Sequence, residues 1–191
     1  MQNFLAHLSD ASPGFRCYSP GLADSELEHE VRVKHKLGAP AGQGDIAELH
    51  SQLGHGSEDF EALYSLHNGM VLYSAGKDAG IAFYSIGEFK DRNAEWREWF
   101  EDMDEDDLWD FQKHGVAFGE IIASGNYFVF WQGGVYYSSH DDDGGMANGA
   151  TLSEFLDRIA ADPAQFLYDA GCYTRYGPKQ WIPGQYVPEM R

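Results

Sequence analysis

Residues 116–139 read VAFGEIIASGNYFVFWQGGVYYSS, and the fold turns on how this run divides. Residues 116–122, 127–131 and 135–139 are short apolar and aromatic runs parted by glycine-bearing breaks, the pattern of β-strands. Only Gln132, Gly133 and Gly134 separate the last two runs, which predicts a tight hairpin. Tyr127, Val129 and Trp131 fall on one face of the middle run, and Phe128 and Phe130 on the other. A strand that is apolar on both faces belongs inside a sheet that is covered on each side.

Working toward the N-terminus, residues 81–85 and 70–73 read as two further strands. Before them stands a helical hairpin. Asp45 as N-cap, with Glu48 three residues on, starts a helix whose face carries Ile46, Leu49 and Leu53 and which Gly54 stops. Ser57 caps a second helix bearing Phe60, Leu63, Tyr64 and His67, and Asn68 with Gly69 ends it. Between the strands, a helix is expected over 89–103, with Trp96, Trp99, Phe100 and Met103 as a bulky face laid on the sheet.

C-terminal to the hairpin, a glycine-rich loop at 141–149 leads to Thr151, which with Glu154 makes a capping box for a helix carrying Leu152, Phe155, Leu156 and Ile159. Asp162 and Pro163 start another helix that runs to Gly171. Residues 1–24 show no period and are punctuated by Pro13, Gly14, Pro20 and Gly21, and 25–36 suggest a short polar helix. The expected organisation is an N-terminal extension at 1–40, a domain at 41–171, and an aromatic tail at 172–191 packed on it. Helices, then strands, then helices, without βαβ alternation, make this an α+β protein.

At 191 residues, 43% hydrophobic and 15% aromatic, the chain has the apolar area for one buried core. Its charge is lopsided: 13 Lys and Arg against 31 Asp and Glu leave a net −18. Such a field repels phosphate backbones and anionic membranes, which excludes DNA, RNA and lipid headgroups as direct partners and favours a basic one. Seven of the acids, Glu101, Asp102, Asp104, Glu105, Asp106, Asp107 and Asp110, crowd together around Leu108 and Trp109. No stretch reaches the roughly 20 apolar residues of a membrane span, and residues 1–10 lack a leader pattern, so a cytoplasmic location is expected.

Motifs for chemistry are missing. There is no phosphate-binding glycine loop, and Leu72 stands where a nucleophile elbow around Ser74 needs glycine. Calcium-loop spacing fails from Asp102, which puts Asp107 sixth and Lys113 twelfth, and from Asp141, which puts Met146 and Leu152 there. His29, Glu30 and His35 miss the spacing of a zinc-protease helix. A metal site built by His140 with Asp141 and Asp143 stays open beside the reading of a solvated loop. Cys17 and Cys172 fit buried thiols, and a disulfide between them also stays open.

From Asp45 onward the order of motifs resembles the SUKH superfamily, the Smi/Knr group of bacterial toxin-immunity proteins and eukaryotic cell-wall regulators. The residues that carry the resemblance are DIAELHSQLG and FEALYSLHNG, then IAFYSIGEF, VAFGEIIASGNYFVFW, GGVYYSSHDDD and TLSEFLDRIA. The chain departs from that pattern at His55, Gly56 and Ser57, where a Leu-Pro is usual, and at Ser138 and Ser139, where a tryptophan often follows. The resemblance implies one α+β domain with a mixed or antiparallel sheet flanked by helices, no catalytic residues, no cofactor, and work as a protein-binding module.

The combined expectation is a non-enzymatic immunity protein that holds a basic toxin, a nuclease being one candidate, through Asp102, Asp104, Glu105, Asp106, Asp107 and Asp110, with Asp141, Asp142 and Asp143 joining in. Trp109 and Tyr137 are the expected aromatic anchors, since interface cores favour such rings inside a polar rim. The plain alternative is that Trp109 is core and the acids a solvated face. Two other functions stay open: a metal-dependent hydrolase or small-ligand protein centred on His140, and a regulatory scaffold without a toxin.

Overall fold

The computed structural model describes residues 1–10, 15–19, 29–74, 80–122, 124–139, 147–161 and 187–188. In chain order these form α1 (Gln2–Asp10), β1 (Phe15–Ser19), β2 (His29–Leu37), α2 (Gln43–Leu53), α3 (Glu58–Tyr64), β3 (Met70–Ser74), β4 (Ile81–Phe83), α4 (Phe89–Glu98), α5 (Asp110–His114), β5 (Val116–Ile121), β6 (Asn126–Trp131), β7 (Gly134–Ser138), β8 (Ala147–Ala150), α6 (Leu152–Ala161) and β9 (Val187–Pro188). Single helical turns stand at Ile86–Glu88 and Glu105–Asp107. The strands make one sheet in the order β8-β7-β6-β5-β4-β3-β2-β1-β9. Every neighbouring pair is antiparallel, so the sheet is not mixed, and the protein is a single α+β domain.

β6 sits inside the sheet as its two-faced pattern requires, with Val129 opposite Ala117 of β5 and Tyr136 of β7. Its alternate side chains enter two separate cores. Phe128 and Phe130 join the main core with Leu49, Phe60, Leu63 and Phe155 from α2, α3 and α6. There Phe60 meets Phe118 and Phe130 edge-on with centroids 5.0 and 4.9 Å apart, and Phe128 meets Phe155 at 4.9 Å. Tyr127 and Val129 join a smaller core with Trp96 of α4, Phe111 of α5 and Ala117. Burying each such large side chain contributes about 1.5–3 kcal/mol, so β6 is stabilised from both sides.

The β6–β7 connection is a two-residue turn in which Gln132 (φ 48°) and Gly133 (φ 79°) both take the left-handed conformation that matches strand twist. The second hairpin helix stops at Tyr64 with Ser65 as its C-cap, short of the expected His67, so Asn68 and Gly69 do not end it; Gly69 lies beyond, at φ 83°, where a Cβ would lie 2.8 Å from the Ser85 amide nitrogen. The capping box before α6 is present: the Thr151 amide and hydroxyl donate to Glu154 at 2.9 and 3.0 Å.

Three further local expectations are corrected. Residues 29–36 are strand, not helix, because Val31, Val33 and His35 alternate with Arg32, Lys34 and Lys36 at the period of two that a strand needs. β2 pairs with both β1 and β3, so the segment before residue 40 is built into the sheet. α2 starts at Gln43; Asp45 lies inside it, and its carboxylate accepts the Gly42 amide at 3.0 Å. α4 stops at Glu98, so of its expected apolar face only Trp96 is fully buried, while Trp99 and Met103 are exposed. The expected helix at 162–171 and the tail at 172–191, apart from β9, lie outside the described residues.

Candidate functional site

Residues 99–109 join α4 to α5, and both ends of this segment are pinned by side chains that replace missing backbone partners. β4 ends at Phe83, so Ala117 of β5 has no strand neighbour on that side. Asn93 of α4 takes the place: its amide donates to the Ala117 carbonyl at 2.8 Å and accepts the Ala117 N–H at 2.8 Å. One turn later Arg97 donates to the carbonyls of Lys113 (3.1 Å) and Gly115 (3.0 Å) and so holds the end of α5. The buried Gln112 accepts the Trp109 N–H at 2.9 Å and starts α5 there. These short contacts to backbone fix the elements that flank the segment.

That segment concentrates what the rest of the surface hides. Five large apolar side chains are exposed among the described residues, and three of them lie here: Trp99 (54%), Met103 (45%) and Trp109 (50%). Glu101, Asp102, Asp104, Glu105, Asp106, Asp107 and Asp110 are all exposed beside them. None makes an ion pair or side-chain hydrogen bond among the described residues, where the ion pairs are Met1–Asp157, His50–Glu61 and Arg92–Glu95.

Trp109 borders a cavity of about 580 Å³ whose other aromatic walls are Phe111 of α5, Trp131 of β6 and Tyr136 of β7. Phe111 stacks on Tyr136 with centroids 5.0 Å apart and planes 8° from parallel, and Trp131 leans on Tyr136 at 5.8 Å. The strand pattern places two of the walls: Trp131 and Tyr136 extend the smaller core's face outward to the hairpin end of the sheet. Asp106, Asp107 and Asp110 also line the cavity, and among the described residues no Lys, Arg or His does.

A second cleft, about 490 Å³, lies where β2, β4 and the start of α4 meet. Its polar groups are largely engaged within the chain. Arg92 lies over the Tyr84 ring at 5.3 Å and pairs with Glu95 at 3.0 Å; Glu88 accepts the Ser85 amide and hydroxyl at 2.8 and 2.6 Å; Asn68 accepts the Ile86 amide at 2.8 Å. Burial raises the Glu120 carboxyl above the usual range against the opposing pull of Arg92. Tyr84 and Tyr127 titrate above an ordinary tyrosine, chiefly through burial and then through the charge of Glu120.

Of the expected contact residues, Asp102, Asp104, Glu105, Asp106, Asp107, Trp109 and Asp110 are thus brought onto one exposed segment. Tyr137 is a correction: it is 8% exposed and packs on Phe128 at 5.7 Å in the main core, because its neighbour Tyr136, not Tyr137, points to the cavity side of β7. An 8%-exposed core ring offers a partner no surface to grip. Asp141, Asp142, Asp143, His140 and Cys172 lie outside the described residues, and Cys17 is placed only as part of β1. Among the described residues no three of His, Cys, Asp and Glu converge as a metal would require. Sequence reasoning missed Trp131, Tyr136 and Phe111 as cavity walls. The alternation along β6 already separated Trp131 from Phe130, but which rings end at the uncovered margin depends on where α5 stops.

No helix among the described residues is long and apolar enough to cross a membrane. No curated protein matches the chain. The profile of the SMI1 / KNR4 family (SUKH-1) matches residues 40–158, from just before α2 to within α6, the span that holds the helical hairpin, the meander from β3 to β8 and the acidic segment. The chain belongs to the SMI1 / KNR4 family (SUKH-1).

Proposed function

We propose that this protein is a non-catalytic binding module that neutralises a basic bacterial toxin through the 99–110 segment. Membership of a family of generally non-catalytic immunity or regulatory proteins supports that class of role. The single observation that carries the choice of surface is the coincidence, on one exposed segment, of three exposed large apolar side chains with seven carboxylates that pair with nothing among the described residues. Exposed aromatics supply contact area at low entropic cost, and unpaired carboxylates supply the sign of the partner. For a nuclease the same acids compete for the surface where nucleic acid would bind.

The test is association with a cationic toxin encoded beside this chain, compared with a variant carrying Asp104→Asn, Glu105→Gln, Asp106→Asn and Asp107→Asn. Stopped-flow association at low salt is expected to slow about tenfold or more, with a flatter salt dependence. An unchanged rate and an unchanged salt slope would refute the assignment of this surface.

A further inference from the structure

The aromatic cavity beside Trp109 has a chemistry more specific than a charged patch. Its walls are ring systems from three elements, α5, β6 and β7, together with the Trp109 indole that precedes α5. Among the described residues its acidic linings are Asp106, Asp107 and Asp110, and no basic side chain lines it. An apolar ligand would have to desolvate those carboxylates without compensating them. An anion would be repelled. A cation is attracted twice, by the negative faces of the rings and by the acids. Among side-chain cations, guanidinium suits both features together: it is planar and weakly hydrated, so it stacks on indole and phenol faces, while its edge donors reach carboxylates in a fork. Ammonium is compact and strongly hydrated and uses the rings less well. The fold already stacks its own arginines this way, with Arg97 over Trp96 at 5.6 Å and Arg92 over Tyr84 at 5.3 Å.

We propose that this cavity is a specificity pocket for an arginine side chain presented by the protein partner, its guanidinium lying against Trp109, Trp131 and Tyr136 and donating to Asp106, Asp107 or Asp110. The proposal rests on the reading of this surface as the partner-binding one. It adds which side chain of the partner is recognised and where.

The probe is a capped Gly-Arg-Gly peptide titrated into the full-length ¹⁵N-labelled chain, read on the indole N–H signals of the tryptophans after each is assigned by a Trp→Phe variant. The Trp109 and Trp131 signals are expected to move saturably and that of the buried Trp96 to stay. The Lys peptide binds more weakly and the citrulline peptide, isosteric but neutral, not at all. Trp109→Ala is expected to weaken the Arg peptide about tenfold, whereas Leu66→Ala, at an exposed apolar side chain outside the pocket lining and the 99–110 segment, leaves it unchanged. Asp110→Asn weakens it as well, with Asp107→Asn as a second carboxylate variant should that one fail to fold. No saturable shift, equal shifts with citrulline, or binding of a neutral methyl glycoside in place of the Arg peptide would overturn the proposal. If the Arg peptide binds in the pocket while the four-carboxylate variant still associates with the toxin at the wild-type rate, the pocket stands and the partner surface lies elsewhere.

Discussion

Replacing Asn93 with alanine tests whether the acidic segment is held by the side-chain pair that the structure shows. Asn93 is half-buried, and its amide meets both the N–H and the carbonyl of Ala117, a residue with no exposed surface, at 2.8 Å each, and also donates to the Phe89 carbonyl at 2.7 Å. Truncation strands the two Ala117 groups beside a space of roughly one side chain. Each buried backbone group left unpaired costs about 1–3 kcal/mol, and a water entering the vacated space recovers part, so the expected loss is about 3 kcal/mol. With a urea slope of about 2 kcal/mol/M, the midpoint falls by about 1.5 M. Urea unfolding followed by circular dichroism gives the midpoint, and the Trp emission spectrum reports whether the 99–109 indoles shift environment in the folded variant. Asn93→Asp sharpens the reasoning: it keeps an acceptor for the Ala117 N–H but sets a carboxylate against two carbonyls. It should be at least as unstable at pH 7 and recover as the pH falls toward about 4, since the opposing carbonyls raise the carboxyl and favour its protonated form. A midpoint within about 0.3 M of wild type for Asn93→Ala, equivalent to less than 1 kcal/mol, would show that the amide bridge does not hold α4 to β5.

Three further perturbations probe other parts of the argument. Gln132→Asn should raise the thermal midpoint, since Gln132 sits at φ 48° and asparagine tolerates that conformation better, a gain of about 0.5–1 kcal/mol; a lower midpoint would contradict the turn geometry. Gly119→Ala places a Cβ 2.4 Å from the Ala82 carbonyl oxygen and 2.9 Å from the Phe83 ring, and the backbone oxygen cannot swing away. A cost of about 3 kcal/mol, or roughly 6–12 °C in Tm, is expected by calorimetry. Glu120 carries a carboxyl raised by burial and by the charges of Glu95 and Glu88, with Arg92 and the Tyr84 hydroxyl opposing. A raised carboxyl penalises the folded state as the pH climbs from the unfolded carboxyl value through the folded one. Glu120→Gln should therefore stabilise the protein at pH 7, and the gain should vanish below about pH 4; a gain independent of pH would point to packing instead.

Much of the architecture is legible along the chain because its signals are local. The two-faced apolar run from Tyr127 to Trp131 placed β6 in the interior, and Thr151 with Glu154 marked the start of α6. The failures have physical causes too. The polar content of residues 29–36 masked an alternation of period two, and helix propensity alone does not weigh pairing with β1 and β3. Trp99 and Met103 have helical spacing from Trp96, but α4 ends at Glu98 and spacing loses its meaning past the end of a helix. Tyr136 and Tyr137 are equivalent as letters; the hairpin register sends one to the cavity and the other into the main core.

By itself the sequence determined the α+β class, the helical hairpin, the central strand, the acidic excess and its concentration between Glu101 and Asp110, since composition and period depend only on neighbours in the chain. Tertiary structure alone decided which rings are buried and which remain open to a partner. Exposure depends on what lies across a face: Phe111 of α5 packs with Val129 and stacks on Tyr136, while Trp131 and Tyr136 stay only partly buried at the edge, and Arg97 holds the end of α5 beside them. The run of carboxylates was readable as a charge; that it borders an aromatic pocket follows only from the packing of β6 and β7 against α5.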